Sequence, residues 1–173
     1  YSIIFRSLFA NNGLVNYVLV NIGILDKPYN FLTQPFAAKM VILLGLLWRW
    51  TGYNMVFFLS GLQNIEYSVY EAAKIDGASA IQTFFKITVP LLKPTILLTA
   101  IMSTNGTLQL FDESVNLTDG GPANASISMS HYIYNLCFKY VPNFGYAAAM
   151  SFFILLLVAV LAFIQMRVGD KRD

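Results

Sequence analysis

Residues 146–164 carry no charged side chain and, the first tyrosine aside, only one polar one, Ser151. About 20 apolar residues cross the hydrocarbon of a bilayer as a helix. Inside hydrocarbon every backbone N–H and C=O must be satisfied within the segment, which an unbroken apolar run achieves as an α-helix. This run predicts an integral membrane protein of the all-α class. Composition agrees: 57% of residues are hydrophobic and 12% charged, against about a quarter charged in soluble domains.

Two further stretches are long enough to be spans, giving predicted crossings at about 37–61, 91–111 and 145–166. The first carries Lys39 near one end and Arg49 near its middle, and the second is polar through its centre. The stretch 1–25 is apolar but broken by Asn11, Asn12 and Gly13, a turn signal. It reads as the end of a membrane helix followed by a short interfacial helix. The first residue is Tyr1 and no signal peptide is visible, so the expectation is a C-terminal fragment whose N-terminal spans are missing.

Lys and Arg give an orientation. Lys74, Lys86 and Lys93 follow the first span, and Arg167, Lys171 and Arg172 follow the third. The loop 112–144 holds only Lys139. By the positive-inside rule the loop 62–90 and the C-terminus are cytoplasmic.

Several chemistries find no support. The net charge of +2 is too small to point to nucleic acid. One cysteine, Cys137, excludes an internal disulfide. The single histidine, His131, lacks a metal-ligand context and reads as structural. No HExxH, GxSxG or Walker GxxxxGK[ST] pattern occurs, which speaks against a membrane enzyme and against ATP binding by this chain. The glycosylation-like triplets at Asn105, Asn116 and Asn124 read as accidental.

The loop 62–90 is the most informative segment. Residues 68–75 favour helix through Glu71, Ala72, Ala73 and Lys74. Gly77 supplies a place for a turn with positive φ, and 78–89 can form a second helix ended by Pro90. Val69, Ala72, Ala73 and Asp76 fall on one side, where small side chains permit close approach by a partner. From composition alone, a docking knob and an ordinary surface helix pair stay equally open.

The spacing Glu71-Ala72-Ala73, three residues, Gly77, nine residues, Ile87, one residue, Val89-Pro90 resembles the EAA loop of ABC importer permeases; only Val89 departs, from Leu. Asp76-Gly77-Ala78 is similar to the sugar branch, as are Phe111-Asp112, Leu117 through Pro122 in the pattern LTxGGP, and Gly145 through Ala149. The resemblance covers nearly the whole chain and implies a maltose-permease-like subunit, with the fold of a type I importer permease bundle. It implies that the loop forms a coupling helix seated in a cytoplasmic ATPase subunit, with Glu71, Ala72, Ala73, Asp76 and Gly77 as the coupling residues. The implied partners are a second permease, two ATPase subunits, an extracytoplasmic binding protein, and a sugar or oligosaccharide. ATP would be bound by the partner, this chain holding no cofactor or metal. The implied location is the plasma membrane of a prokaryote.

Candidate path residues come from helical spacing. Leu46, Arg49, Trp50 and Tyr53 share one face of the first span. A mid-membrane arginine must face the bundle interior, a wet cavity or a buried acid, and aromatic rings pack flat against the C–H faces of sugars. In the second span Thr99, Ser103, Gly106 and Thr107 form one stripe, and Asn105, Gln109 and Asp112 another. Such a helix lines an aqueous path or is bonded to neighbours through small residues. The resemblance adds Leu46, Arg49, Trp50, Tyr53, Ser103, Gly106 and Thr107 as matches to substrate-contact positions, mostly with changed residue types. The competing expectations are a non-transporting scaffold or defective truncated permease and, within the family, an importer of another polar solute such as a glycerol phosphate.

Overall fold

In a computed structural model the described residues are 1–169; Lys171 and Arg172, used above for orientation, lie outside them. Every regular element among the described residues is helical. In chain order these are α1 (Ser2–Leu8), α2 (Leu14–Asn21), α3 (Pro35–Gln63), α4 (Tyr67–Ile75), α5 (Ala80–Thr83), α6 (Val89–Leu91), α7 (Lys93–Leu108), α8 (Met129–Tyr134) and α9 (Phe144–Gly169). Wider π-type turns occupy Phe84–Thr88, Ser114–Thr118 and Asn135–Lys139.

Two helices, α3 with 29 residues and α9 with 26, are long and apolar enough to cross a membrane. At about 1.5 Å per residue they reach about 44 and 39 Å. The expected second span is shorter than its hydropathy promised. Helix α7 has 16 residues, about 24 Å against about 30 Å of hydrocarbon. It passes as a span only together with Ala80–Leu91, from which it is bent by 65°. The helical run Ala80–Leu91 stops within a residue of Pro90, as expected, and α7 leaves it at 65°. The π-turn Phe84–Thr88 lies in the middle of that run, directly before α6.

The chain divides into two compact units. The first comprises Tyr1–Arg49 and Gly106–Val158. Its core includes a stripe of α3, with Ala38, Val41, Ile42 and Leu46 buried, together with Leu117, Leu136, Ala147 and Ile154. Asn16, 1% exposed, spends all its side-chain bonding on the backbone. Its Nδ2 donates to Ala10 O at 3.0 Å and Tyr29 O at 2.9 Å, and its Oδ1 accepts from Tyr29 N–H at 2.8 Å. The aromatic chain Tyr1, Phe5, Phe9, Phe31 and Tyr29 continues with ring centroids 5.0–6.2 Å apart.

The loop after α7 is held by a polar knot. Ser114 Oγ donates to Ser126 O at 2.8 Å, accepts from Ser128 N–H at 3.2 Å and lies 2.9 Å from His131 Nδ1. Lys139 Nζ donates to Asp119 Oδ1 at 2.9 Å, and His131 Nε2 lies 3.8 Å from the same oxygen.

The second unit comprises Trp50–Asn105 and, among the described residues, 159–169. Gly61 lets α3 meet α7: a Cβ there would lie 2.8 Å from Leu92 Cδ2 and 2.9 Å from Thr95 Oγ1. Asn54 and Ser103 exchange hydrogen bonds at 3.1 and 3.2 Å. Gln165 Nε2 donates to Thr104 Oγ1 at 2.8 Å.

The polar knot makes the loop sensitive to acid. Burial pushes the His131 imidazole below its ordinary value of 6.5, against an opposing pull from Asp119. The hydrogen bond from Lys139 holds the Asp119 carboxyl below its ordinary value of 3.8. Both folded values are depressed, so both contributions are full above the ordinary value and are lost as pH falls below it. His131 responds first. Protection of the amides across residues 114–131, corrected for the intrinsic pH dependence of exchange, should therefore fall as pH goes from 7.5 to 5.5, and a His131→Asn variant should flatten that dependence. Equal pH dependence in the two proteins would contradict the assignment.

Candidate functional site

The loop 62–90 is built around one glycine. Helix α4 ends at Ile75, and Gly77 follows in the left-handed region with φ +76°. Ala78 N–H bonds to Ala73 O at 3.0 Å and Gly77 N–H to Lys74 O at 3.2 Å. This pair of bonds is a Schellman motif, closing two of the carbonyls a helix end leaves open. Two residues later a reciprocal capping box starts α5: Gln82 N–H donates to Ser79 Oγ at 3.3 Å, and Ser79 N–H to Gln82 Oε1 at 2.9 Å. Tyr70 Oη and Thr88 Oγ1, 3.3 Å apart, tie α4 to the π-turn after α5. The result is a stiff helix–turn–helix.

Glu71, Ala72, Asp76 and Gly77 are exposed on this element, whereas Ala73 is buried. The small side that the sequence assigned to a partner is thus divided: Ala73 packs within its own unit and Ala72 faces out. What sequence reasoning missed is the apolar surface beside the charges. Tyr67, Ile75, Ile81, Phe84 and Phe85 are all more than half exposed. Ile75 and Ile81 flanking Gly77, and the Phe84–Phe85 pair, were the available signals.

The candidate path residues fall in both units and are described in each. In the second unit Trp50 and Tyr53 make an edge-to-face contact at 5.5 Å, and Tyr53 meets Phe57 at 5.1 Å. Tyr53 is 41% exposed. Ser103 is held by Asn54, which makes it an interhelical link as well as a path candidate. Thr99 is buried and donates to Thr95 O and Ile96 O of its own helix, so it turns away from any open surface. Asn105 is exposed.

In the first unit Leu46 is buried, Gly106 is half-buried, and Thr107, Gln109 and Asp112 are exposed. Arg49 has the acid its position demands. Its Nη1 donates to Glu113 Oε1 at 2.7 Å, and its Cζ lies 5.9 Å from the centroid of the Tyr1 ring. The Glu113 side chain is 1% exposed and that of Arg49 42%. Breaking a buried pair strands the surviving charge and typically costs about 3–5 kcal/mol; the exposure of Arg49 places this pair at the lower end. Nothing local in the sequence pointed to Glu113, which lies 64 positions away.

The order Ser114, His131, Asp119 superficially imitates a hydrolytic triad. Ser114 is 0% exposed and its hydroxyl proton already goes to Ser126 O, so no substrate carbonyl can reach it. Among the described residues no group of three or more His, Cys, Asp or Glu is arranged to hold a metal ion.

Known proteins share this chain's sequence family and fold. Residues 3–172 match the family model of the binding-protein-dependent transport system inner membrane component. The lactose transport system permease protein of Rhizobium radiobacter is 53% identical over 174 aligned positions, covering 99% of this chain and 58% of the relative. A bacterial ABC transporter involved in the import of the acidic polysaccharide alginate shares the fold, with a TM-score of 0.83 at 24% identity over 97% of this chain and 58% of that one. The alginate transporter in complex with an alginate pentasaccharide-bound periplasmic protein gives 0.74 at 25% identity, covering 98% and 57%. The chain therefore spans somewhat more than half the length of these relatives. With its all-helical fold and its matched length, the chain belongs to the family of binding-protein-dependent transport system inner membrane components.

Proposed function

We propose that this chain is the membrane-spanning permease part of an ATP-driven, binding-protein-dependent sugar importer. In this reading it forms part of the translocation path and docks an ATPase subunit through the loop 62–90. The observation that carries the reading is the α4–Gly77–α5 element. It offers an exposed carboxylate, Glu71, an apolar rim and a backbone locked by a Schellman motif. A short rigid helix seated in a cleft passes a rigid-body motion on to the attached spans, whereas a floppy segment dissipates it.

The family match and the lactose permease relative support sugar as cargo. The alginate complex with its periplasmic protein supports a binding protein as partner. Trp50 and Tyr53 provide ring faces for sugar C–H surfaces, and Ser103, Asn105, Thr107 and Gln109 provide hydroxyl and amide groups. ATP is bound and hydrolysed by the partner ATPase, with the loop 62–90 and the C-terminus on the cytoplasmic side.

The test is ATP hydrolysis by the complete importer in lipid, with its binding protein and a sugar panel beginning with lactose. Sugar-loaded binding protein should stimulate hydrolysis. In this reading Glu71 meets a basic residue of the ATPase subunit, and Glu71→Ala should reduce that stimulation by about tenfold or more, since truncating one member of a charged interface pair costs about 2–5 kcal/mol. Stimulation by no sugar, or full stimulation in Glu71→Ala, would contradict the reading.

Gly77 gives a graded second prediction. A Cβ there meets no atom within 4 Å, so the cost of substitution is backbone strain alone, about 1–2 kcal/mol for an ordinary residue in the left-handed region. Coupled hydrolysis should fall in the order Gly, Asn, Ala, Val at position 77, because Asn tolerates that region and a β-branched residue does not. An Ala variant as active as the Asn variant would show that the turn is not under this constraint.

A further inference from the structure

A guanidinium stays charged at every physiological pH and presents five N–H donors. Left alone on a path, Arg49 would favour anionic cargo over neutral cargo. It is not left alone. Glu113, 1% exposed, holds its carboxylate 2.7 Å from Arg49 Nη1, while the arginine side chain keeps 42% exposure. The acid is hidden and the base is presented. The pair is therefore neutral in sum, which favours an uncharged sugar over an anionic one.

The backbone that carries Glu113 is anchored next to it. It directly precedes the turn Ser114–Thr118, and Ser114, fully buried, is bonded to Ser126, Ser128 and His131. The polar knot thus holds the chain at the residue after Glu113, and the buried carboxylate meets Arg49 from there.

We propose that Glu113 is a specificity-determining residue: by neutralising and orienting Arg49 it sets the path to accept neutral sugars in preference to anionic ones. This rests on the reading of the Arg49 face of α3 as part of the path. Glu113 acts through Arg49 and is a positioning residue.

The test uses the complete importer in lipid nanodiscs without its binding protein, so that the binding protein's own selectivity does not enter. Equilibrium binding is measured for a neutral disaccharide and for the same disaccharide carrying a uronic acid. In Glu113→Gln the ratio of the two dissociation constants should move toward the acidic sugar by about tenfold, and the acidic sugar's affinity should become salt-dependent. In Arg49→Gln/Glu113→Gln the ratio should return to the parental value. A merely structural role for Glu113 would weaken both sugars together and leave the ratio unmoved. Arg49→Gln, which leaves the acid alone, should move the ratio the opposite way and answers the question if Glu113→Gln does not assemble.

Trp50→Ala and Tyr53→Ala separate this inference from the reading beneath it. If they weaken both sugars while the charge variants leave the ratio unchanged, Glu113 has no role in selection and the path reading stands. If they too leave binding unchanged, the path reading falls and the inference with it.

Discussion

A charge in the middle of a long apolar helix obliges the rest of the unit to answer it. Arg49 is that charge, and Glu113 is the answer, at 2.7 Å. To bring a carboxylate there the chain must leave α7, bury Glu113 and hold it. The turn Ser114–Thr118 does the holding through Ser114, which ties the segment to Ser126, Ser128 and His131. Arg6 Nη1 reaches Asn116 O at 3.4 Å, and the Tyr1 ring stands beside the Arg49 guanidinium. These contacts flank one ion pair, in a unit whose apolar core includes the stripe of α3.

The second unit follows a different rule. Its contacts between α3 and α7 depend on small and polar groups: Gly61 against Leu92 and Thr95, and Asn54 with Ser103. Lipid offers no hydrophobic reward for helix association, so close backbone approach and interhelical hydrogen bonds supply it. At its loop the same unit turns rigid, through the Schellman motif at Gly77 and the capping box at Ser79.

What the sequence made legible were features that act locally. The uncharged run 146–164 foretells α9, since no other fold satisfies so apolar a backbone. Residues 68–75 foretell α4, and Gly77 foretells the turn, because glycine takes positive φ without steric cost. Features that depend on long-range partners were not legible. Glu113 as the acid for Arg49 and the satisfied interior of Asn16 require the fold to be known. The inward turn of Thr99 is local, but polar residue type alone does not tell back-bonding to the helix from lining a path. Pro90 foretells the stop of the run Ala80–Leu91 to within a residue, because a proline disfavours continuing a straight helix. The second span looked complete because hydropathy does not register a 65° bend.

The central claim is that the α4–Gly77–α5 element seats in an ATPase subunit. Ile75, 85% exposed beside Gly77, is the most direct probe. A photoreactive side chain at position 75 of the assembled importer in lipid should form an adduct with the ATPase subunit, in a yield that changes when ATP is added. An intact complex whose adducts go only to lipid or to the permease itself, with or without nucleotide, would contradict the account.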